Sequence, residues 1–515
     1  VYVAAFNSGT GIKLRPSISV YVFGLIFLTA CVVYSIGIGV PVYWHPDEIS
    51  KASQLQSGNY NFYHPQLMLR LATLFKSLFQ AGDSTRELVL SGRVASVFAT
   101  AVAATALGVL MARRFGLIFG IVTAVLVGLT PTVFIHARHF KEDATLLMGT
   151  ALTMLALQSV DMNASRRNII LLGLAAGLAA SSKYVGIIML APAIAMLIAK
   201  RARWIDAGYC FAAAVLVFAA INSPGLFGRS SLSTGLMMEI NHVMTGHSGI
   251  PGSRITMDNV TNFWRSMTPV LVLLWIAGMA LQLWPLKSRP DHGRPAVQTI
   301  DRIILFTPLL LLAMLQLATF SVFRYVLPAV ALAVVAAIWT AAWVIHTTGN
   351  RAARITVIAL LVLAGGATLW TFRTAVLLVA HDPRARLSAW ISSNLPPDAK
   401  IATEFYTGLP TAERVRIDPT IPTMPQEVAA SYGHLGTHGL HKLYEMGITH
   451  IAISSTNYGR FFEQSLPDAL IPPKQFYEDV FARFKPIYES RITSDVHHIA
   501  TSDLAVYDIR TQSSR

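Results

Sequence analysis

The sequence predicts an α-helical polytopic membrane protein of about eleven transmembrane helices, with a soluble α/β domain at its C-terminal end. Three observations carry this reading. Of 515 residues, 53% are apolar and only 13% charged, against roughly 25% charged in an average soluble protein. Apolar runs of about 20 residues recur as far as Ala380, and each is long enough to cross a bilayer as a helix. From His381 the composition becomes that of a soluble domain. We therefore read two domains, 1–380 in the membrane and 381–515 outside it.

The formal net charge of +14 invites a nucleic-acid partner, but its distribution argues against one. Residues 381–515 carry 13 Lys and Arg against 15 Asp and Glu, which leaves 28 basic and 12 acidic residues in the first 380. Those basic residues sit largely in short loops between apolar runs, as the positive-inside rule expects. No basic block resembles a nucleic-acid tail. Cys31 and Cys210 both lie in apolar runs, which speaks against a disulfide framework and a cysteine metal site.

Lys13 and Arg15 precede the first apolar run, Ile18–Val40. It is longer than a signal-peptide core and lacks an evident small-residue cleavage site, so it reads as a retained span with a cytoplasmic N-terminus. Spans 2 to 7 follow at about Leu88–Met111, Leu117–Phe134, Ala144–Val160, Ile169–Ala180, Val185–Ala199 and Ala207–Ile221. Spans 8 to 11 follow at about Val270–Leu286, Ile303–Val322, Val326–His346 and Ile355–Ala380. Every even-numbered span ends in an Arg or Lys cluster, such as Arg113-Arg114, Arg166-Arg167 or Lys200-Arg201. That alternation fixes the expected topology.

The odd-numbered ends carry a different chemistry. Asp47 and Glu48 follow span 1; Arg138, His139, Glu142 and Asp143 follow span 3; Lys183-Tyr184 follows span 5. Glu239, His242 and His247 lie in the long polar segment after span 7, and Arg324-Tyr325 follows span 9. Charges scattered for structural reasons would not sort to one face, so a shared site at the outer surface is expected.

Within that set, Asp47 is the candidate general base, a carboxylate able to take up the proton of a reacting hydroxyl. Glu48 reads as a neighbour that orients Asp47, as a metal ligand, or equally as a solvated rim carboxylate. Asp143, with His139 one helical turn before it, reads as a second acidic group or as a favourable charge at a helix N-terminus. Lys183 and Arg324, each followed by Tyr, read as phosphate-binding cations or as snorkelling interface anchors. Ser231–Thr245 carries Leu232, Leu236, Ile240 and Val243 on one stripe and reads as an amphipathic helix on the bilayer surface. Gly246, Gly249, Pro251 and Gly252 then allow a mobile continuation, a lid or ordinary surface packing.

In the tail, Arg384–Leu395, Leu440–Met446 and Phe476–Phe484 read as helices. Lys400–Thr403, Thr449–Ser454 and Leu504–Ile509 read as strands. Alternating helix and strand signals suggest a small α/β domain. It shows no Gly-rich phosphate loop and no metal-spaced His/Cys set, so packing or acceptor contact is the expected role.

His45-Pro46-Asp47-Glu48, Tyr63-His64-Pro65-Gln66-Leu67, Arg138…Asp143, Lys183-Tyr184-Val185-Gly186 and Arg324-Tyr325-Val326-Leu327-Pro328, in this order and on this side, together resemble the GT-C glycosyltransferases. The nearest groups are the protein O-mannosyltransferases, the lipid A aminoarabinose transferases and the lipopolysaccharide-core sugar transferases. The resemblance implies a GT-C-like fold and a polyprenyl-phosphate sugar donor. It also implies an inverting, Asp47-assisted transfer at the outer face of the cytoplasmic membrane, to a glycan, glycolipid or protein. Catalysis would fall to Asp47, Asp143 and Glu48, and substrate binding to His64, Arg138, Lys183, Tyr184, Arg324 and Tyr325. Gln66 departs from the second Pro of a usual His-Pro-Pro segment. The absence of an inserted β-trefoil-like domain favours a prokaryotic enzyme. No metal ligands are assigned, and a divalent cation is left open as a cofactor. A secondary transporter would place its polar groups near the bilayer midplane in repeated halves, a pattern not seen here. A membrane scaffold leaves the one-sided acids and bases unexplained.

Overall fold

The computed structural model describes residues 16–39, 46–227, 232–245, 255–283, 297–318, 321–404, 406–409, 439–462, 471–491 and 503–510. His45 of the opening motif, His247 and the glycine-rich continuation 246–254 lie outside the described residues.

The described residues of the eleven apolar stretches lie largely on helix, as a backbone at membrane depth has to satisfy its own polar groups, but fewer than eleven of these helices are long enough to span. The first half runs α1 (Pro16–Tyr34), α2 (Pro46–Ser57), α3 (Leu67–Leu78), α4 (Thr85–Phe115), α5 (Leu117–Leu129), α6 (Pro131–His136), α7 (Glu142–Met162) and α8 (Arg166–Ser182). A 3-10 turn, Tyr184–Met189, then leads into α9 (Leu190–Ala199) and α10 (Trp204–Ile221). The polar segment holds α11 (Ser223–Phe227), α12 (Leu232–Thr245) and α13 (Ile255–Arg265) before α14 (Pro269–Leu283) and α15 (Thr299–Leu315). A second 3-10 turn, Phe323–Val326, enters α16 (Leu327–Thr347), and α17 (Arg351–Ala380) closes the bundle.

Among the described residues five helices are long and apolar enough to cross a membrane, or six if α13 and α14, bent by 114° at their break, are counted together. The chain is thus a multi-pass membrane protein. Ile18–Tyr34, Leu117–Leu129 and Tyr184–Ala199 are shorter apolar helices.

Local sequence explains where the long helices start and stop. Ser84 accepts from the Glu87 N–H while the Glu87 carboxylate accepts from the Ser84 N–H, which satisfies two free donors at the head of α4. Arg113 and Arg114 occupy its last turn, where the helix dipole favours cations, and Gly116 follows with φ +97°. At that end Asp301 accepts from Arg114 at 2.9 and 2.7 Å and from Trp339 Nε1 at 2.7 Å, tying α4, α15 and α16 together. Helix α16 is the centre of the bundle, with every residue from Leu327 to Ala342 buried.

Close helix approach depends on small residues. A Cβ on Gly149 of α7 would lie 2.5 Å from Ala179 Cα of α8, and one on Gly92 of α4 would lie 2.1 Å from Phe140 Cγ. Phe140 is fully buried in the segment that joins α6 to α7. Gly92→Ala is therefore expected to force that segment outward at a cost of about 1–3 kcal/mol. Thermal unfolding in detergent, compared with Gly24→Ala, where nothing lies within 4 Å, checks this.

The tail opens with α18 (Pro383–Asn394), capped by Asp382, which accepts from the Arg384 N–H at 2.8 Å. Among the described residues four strands follow: β1 (Ile401–Thr403), β2 (His450–Ser454), β3 (Pro486–Ser490) and β4 (Leu504–Asp508), in the order β1-β2-β4-β3. β1 and β2 are parallel and the other pairs antiparallel. Ile451 and Ile453 of β2 pack with Phe461, with Leu443 of the helix Gly439–Glu445 and with Tyr477 of the helix Ile471–Arg483.

Candidate active site

The site is built on three consecutive charged residues, Lys141, Glu142 and Asp143, at the start of α7. Successive side chains on a helix point about 100° apart, so the three diverge and each meets a different element. Lys141 pairs with Asp47 in the first turn of α2. Glu142 Oε1 lies 2.7 Å from Lys51 Nζ, one helical turn beyond Asp47. Asp143 receives Lys183 Nζ at 3.3 Å and Arg324 Nε at 3.8 Å. Both cations carry more donors than one carboxylate can occupy.

His64 bridges toward the polar segment, with Nε2 4.0 Å from Glu142 and Nδ1 3.8 Å from Glu239 of α12. The Tyr325 ring lies under both cations, 4.3 Å from Lys183 Nζ and 5.4 Å from the Arg324 guanidinium carbon, close enough for cation–π attraction. Tyr184 donates its hydroxyl to the Phe62 carbonyl at 2.8 Å, fixing the turn before His64, where Phe62 has φ +52°. On α12, Met237, Met238, Ile240 and Met244 are exposed, giving the helix an apolar outer face while Glu239 turns to His64.

Exposure separates the two aspartates. The Asp47 side chain is 40% exposed, that of Asp143 only 3%. A hydroxyl arriving from solvent can reach the first and not the second. Burial together with the Arg324 charge, opposed by Asp47 and Asp143, pushes the Lys141 ammonium down to about 8. Burial also pulls the His64 imidazole below its ordinary value, against Glu142 and Glu239. Lys51 is depressed by burial, but Glu142, Asp47 and Asp143 outweigh that and raise it.

The Lys141 value has a kinetic consequence. As pH rises through about 8, the ammonium loses its proton and stops holding the Asp47 carboxylate in an ion pair. Turnover is expected to rise across that range in the wild type and to lose this limb in Lys141→Met, as a pH–kcat profile will show.

Residues 63–227 match the dolichyl-phosphate-mannose-protein mannosyltransferase family, a range that includes His64, Asp143 and Lys183. The fold is similar over 96% of this chain to that of ArnT from Cupriavidus metallidurans bound to undecaprenyl phosphate, with 98% of that chain covered, 13% identity and a TM-score of 0.53. The chain has an ArnT-like fold. The chain is also similar to the oligosaccharyltransferase AglB from Archaeoglobus fulgidus, in complex with an inhibitory peptide and a dolichol-phosphate. That match covers 86% of this chain and 71% of that one, at 10% identity and a TM-score of 0.51. No curated protein sequence matches the chain.

Six residues singled out from the sequence, Asp47, His64, Asp143, Lys183, Arg324 and Tyr325, meet in this one network. Tyr184 borders it. Glu48 and Arg138 lie elsewhere, in the joint between α1, α4 and the 137–141 segment. Glu48 accepts from Arg93 Nε at 2.9 Å, Arg93 Nη2 at 2.7 Å and the Phe140 N–H at 2.8 Å. Arg138 donates to the Ile36 carbonyl at 2.7 Å, with the Phe134 ring 5.4 Å from its guanidinium carbon. Lys51, Lys141 and Arg93 were missed. A faint signal existed for Lys51, at i+4 from Asp47 on a polar helix, and for Arg93 as an unexplained charge inside span 2. Among the described residues no group of three or more His, Cys, Asp or Glu stands together as a metal site.

Proposed function

We propose that this protein is a GT-C glycosyltransferase that moves a sugar from a polyprenyl-phosphate donor to a hydroxyl of a glycan, glycolipid or protein at the outer face of the cytoplasmic membrane. The sugar would be mannose-like or a uronic or amino hexose, and the anomeric centre inverts. The observation that carries this reading is Asp143 shared between Lys183 and Arg324, beside an accessible Asp47 paired with the buried Lys141. Relatives of the same fold bound to undecaprenyl phosphate and to a dolichol-phosphate support the donor class.

In this mechanism the donor phosphate takes the free donors of Lys183 and Arg324, whose guanidinium suits phosphate oxygens in two places. Asp47 accepts the proton of the acceptor hydroxyl as that oxygen bonds to the anomeric carbon. The bond from that carbon to the phosphate oxygen breaks on the opposite face, and its electron pair leaves with the polyprenyl phosphate. A phosphate leaving group already carries charge, so one carboxylate suffices. Asp143 sets the positions of the two cations.

In this reading the N-terminus lies inside, and the odd-numbered ends and residues 381–515 lie on the outer side, where the acceptor arrives; the positive-inside pattern of basic clusters supports it. The test uses the full chain in nanodiscs with a panel of labelled polyprenyl-phosphate hexoses and envelope glycolipid as acceptor. Release of polyprenyl phosphate with inverted anomeric configuration is expected. Retention of configuration, or no transfer from any donor of the panel, overturns the assignment.

A further inference from the structure

His136 is the last residue of α6 and is buried. Neither of its ring nitrogens has a hydrogen-bond partner among the described residues. A buried imidazole without partners is costly to keep, and an apolar side chain of similar volume would pack there without that cost. The ring meets His139 edge to face, with centroids 5.5 Å apart. It lies within the electrostatic reach of Asp143, Arg324, Lys141 and Lys183, the set assigned above to the donor phosphate and the base.

We propose that His136 is a head-group ligand. One ring N–H donates to an oxygen of the lipid phosphate held by Lys183 and Arg324, and the other nitrogen accepts from a hydroxyl of the attached sugar. Burial, reinforced by Arg324, Lys141 and Lys183 and opposed by Asp143, holds the ring down to about 3, so it is neutral at working pH. A neutral donor fits this place. Lys51, Lys141, Lys183 and Arg324 already balance Asp47, Glu142, Asp143 and Glu239 in formal charge. A further cation would hold the doubly charged lipid phosphate too tightly after the sugar has left. An uncharged N–H adds a directional bond without slowing product release to the same degree.

This inference rests on the polyprenyl-phosphate reading, and the test separates the two. Affinity for undecaprenyl phosphate is measured in nanodiscs on wild type, His136→Phe, His136→Leu and His136→Gln, together with the thermal midpoint of each ligand-free protein. His136→Phe and His136→Leu are expected to bind about tenfold to a hundredfold more weakly. Their ligand-free midpoints should be equal to or above wild type, because an unsatisfied polar group has gone. His136→Gln, which keeps a donor and an acceptor, should recover most of the affinity. A purely structural histidine would show the reverse, with a lowered midpoint and unchanged affinity, and that result overturns the proposal. Wild type that fails to bind undecaprenyl phosphate overturns the donor reading and this one together. Wild-type binding left intact in both His136→Phe and His136→Leu overturns this one alone.

Discussion

Asp47→Asn is expected to remain folded and to lose nearly all transfer, with kcat down roughly 10²–10⁴-fold, the range of a missing general base. Asparagine has the shape of aspartate and keeps hydrogen bonding with Lys141, but it cannot take up the acceptor's proton. Stability should hardly move, because an ion pair with one partner 40% exposed is a weak contributor. Donor affinity should also be nearly preserved, since the lipid phosphate is assigned to Lys183 and Arg324. Single-turnover transfer with saturating donor in nanodiscs isolates the chemical step. Near-normal turnover in that assay would remove Asp47 as the base. Asp143→Asn supplies the contrast. It releases the two cations it positions, so its effect should appear first in donor KM.

What the sequence made legible follows from which interactions are local. Helix positions came through because apolar runs and their charged ends are properties of contiguous residues. Ser84…Glu87 at the head of α4 and Arg113-Arg114 at its tail could be read without a fold. Sidedness is likewise read from contiguous residues, because alternating basic clusters assign each loop to a face. The pairing of charges did not, because partners lie far apart in sequence. Lys51 meets Glu142 and Lys183 meets Asp143 only once α2, α7 and α8 have packed. His136 offered no signal, since a lone His at the end of an apolar run is ordinary. Strand β3 was missed for a related reason. Pro486–Ser490 is a mostly exposed edge strand, and without an apolar run or a clean alternation its assignment depends on the neighbour β4.

Glu48→Ala is expected to cost about 3–5 kcal/mol, the loss seen when one member of a buried ion pair is removed. Glu48 is fully buried and takes both a two-point contact from Arg93 and the Phe140 N–H. Arg93 in turn donates to the Ile38 carbonyl at 2.8 Å. Without the carboxylate a guanidinium is stranded inside α4, next to the segment that carries Lys141. Folded yield and the denaturation midpoint in detergent should both fall, and transfer should fall with them. A direct chemical role for Glu48 is separable from this positioning one. Replacing both partners of a buried pair by apolar residues is often close to neutral, so Glu48→Met with Arg93→Met should recover most of the lost stability. Because the Asp47–Lys141 pair is left untouched, transfer per folded molecule should return with it. Restored folding with transfer still absent would instead put the Glu48 carboxylate among the reacting groups, despite its burial behind Asp47.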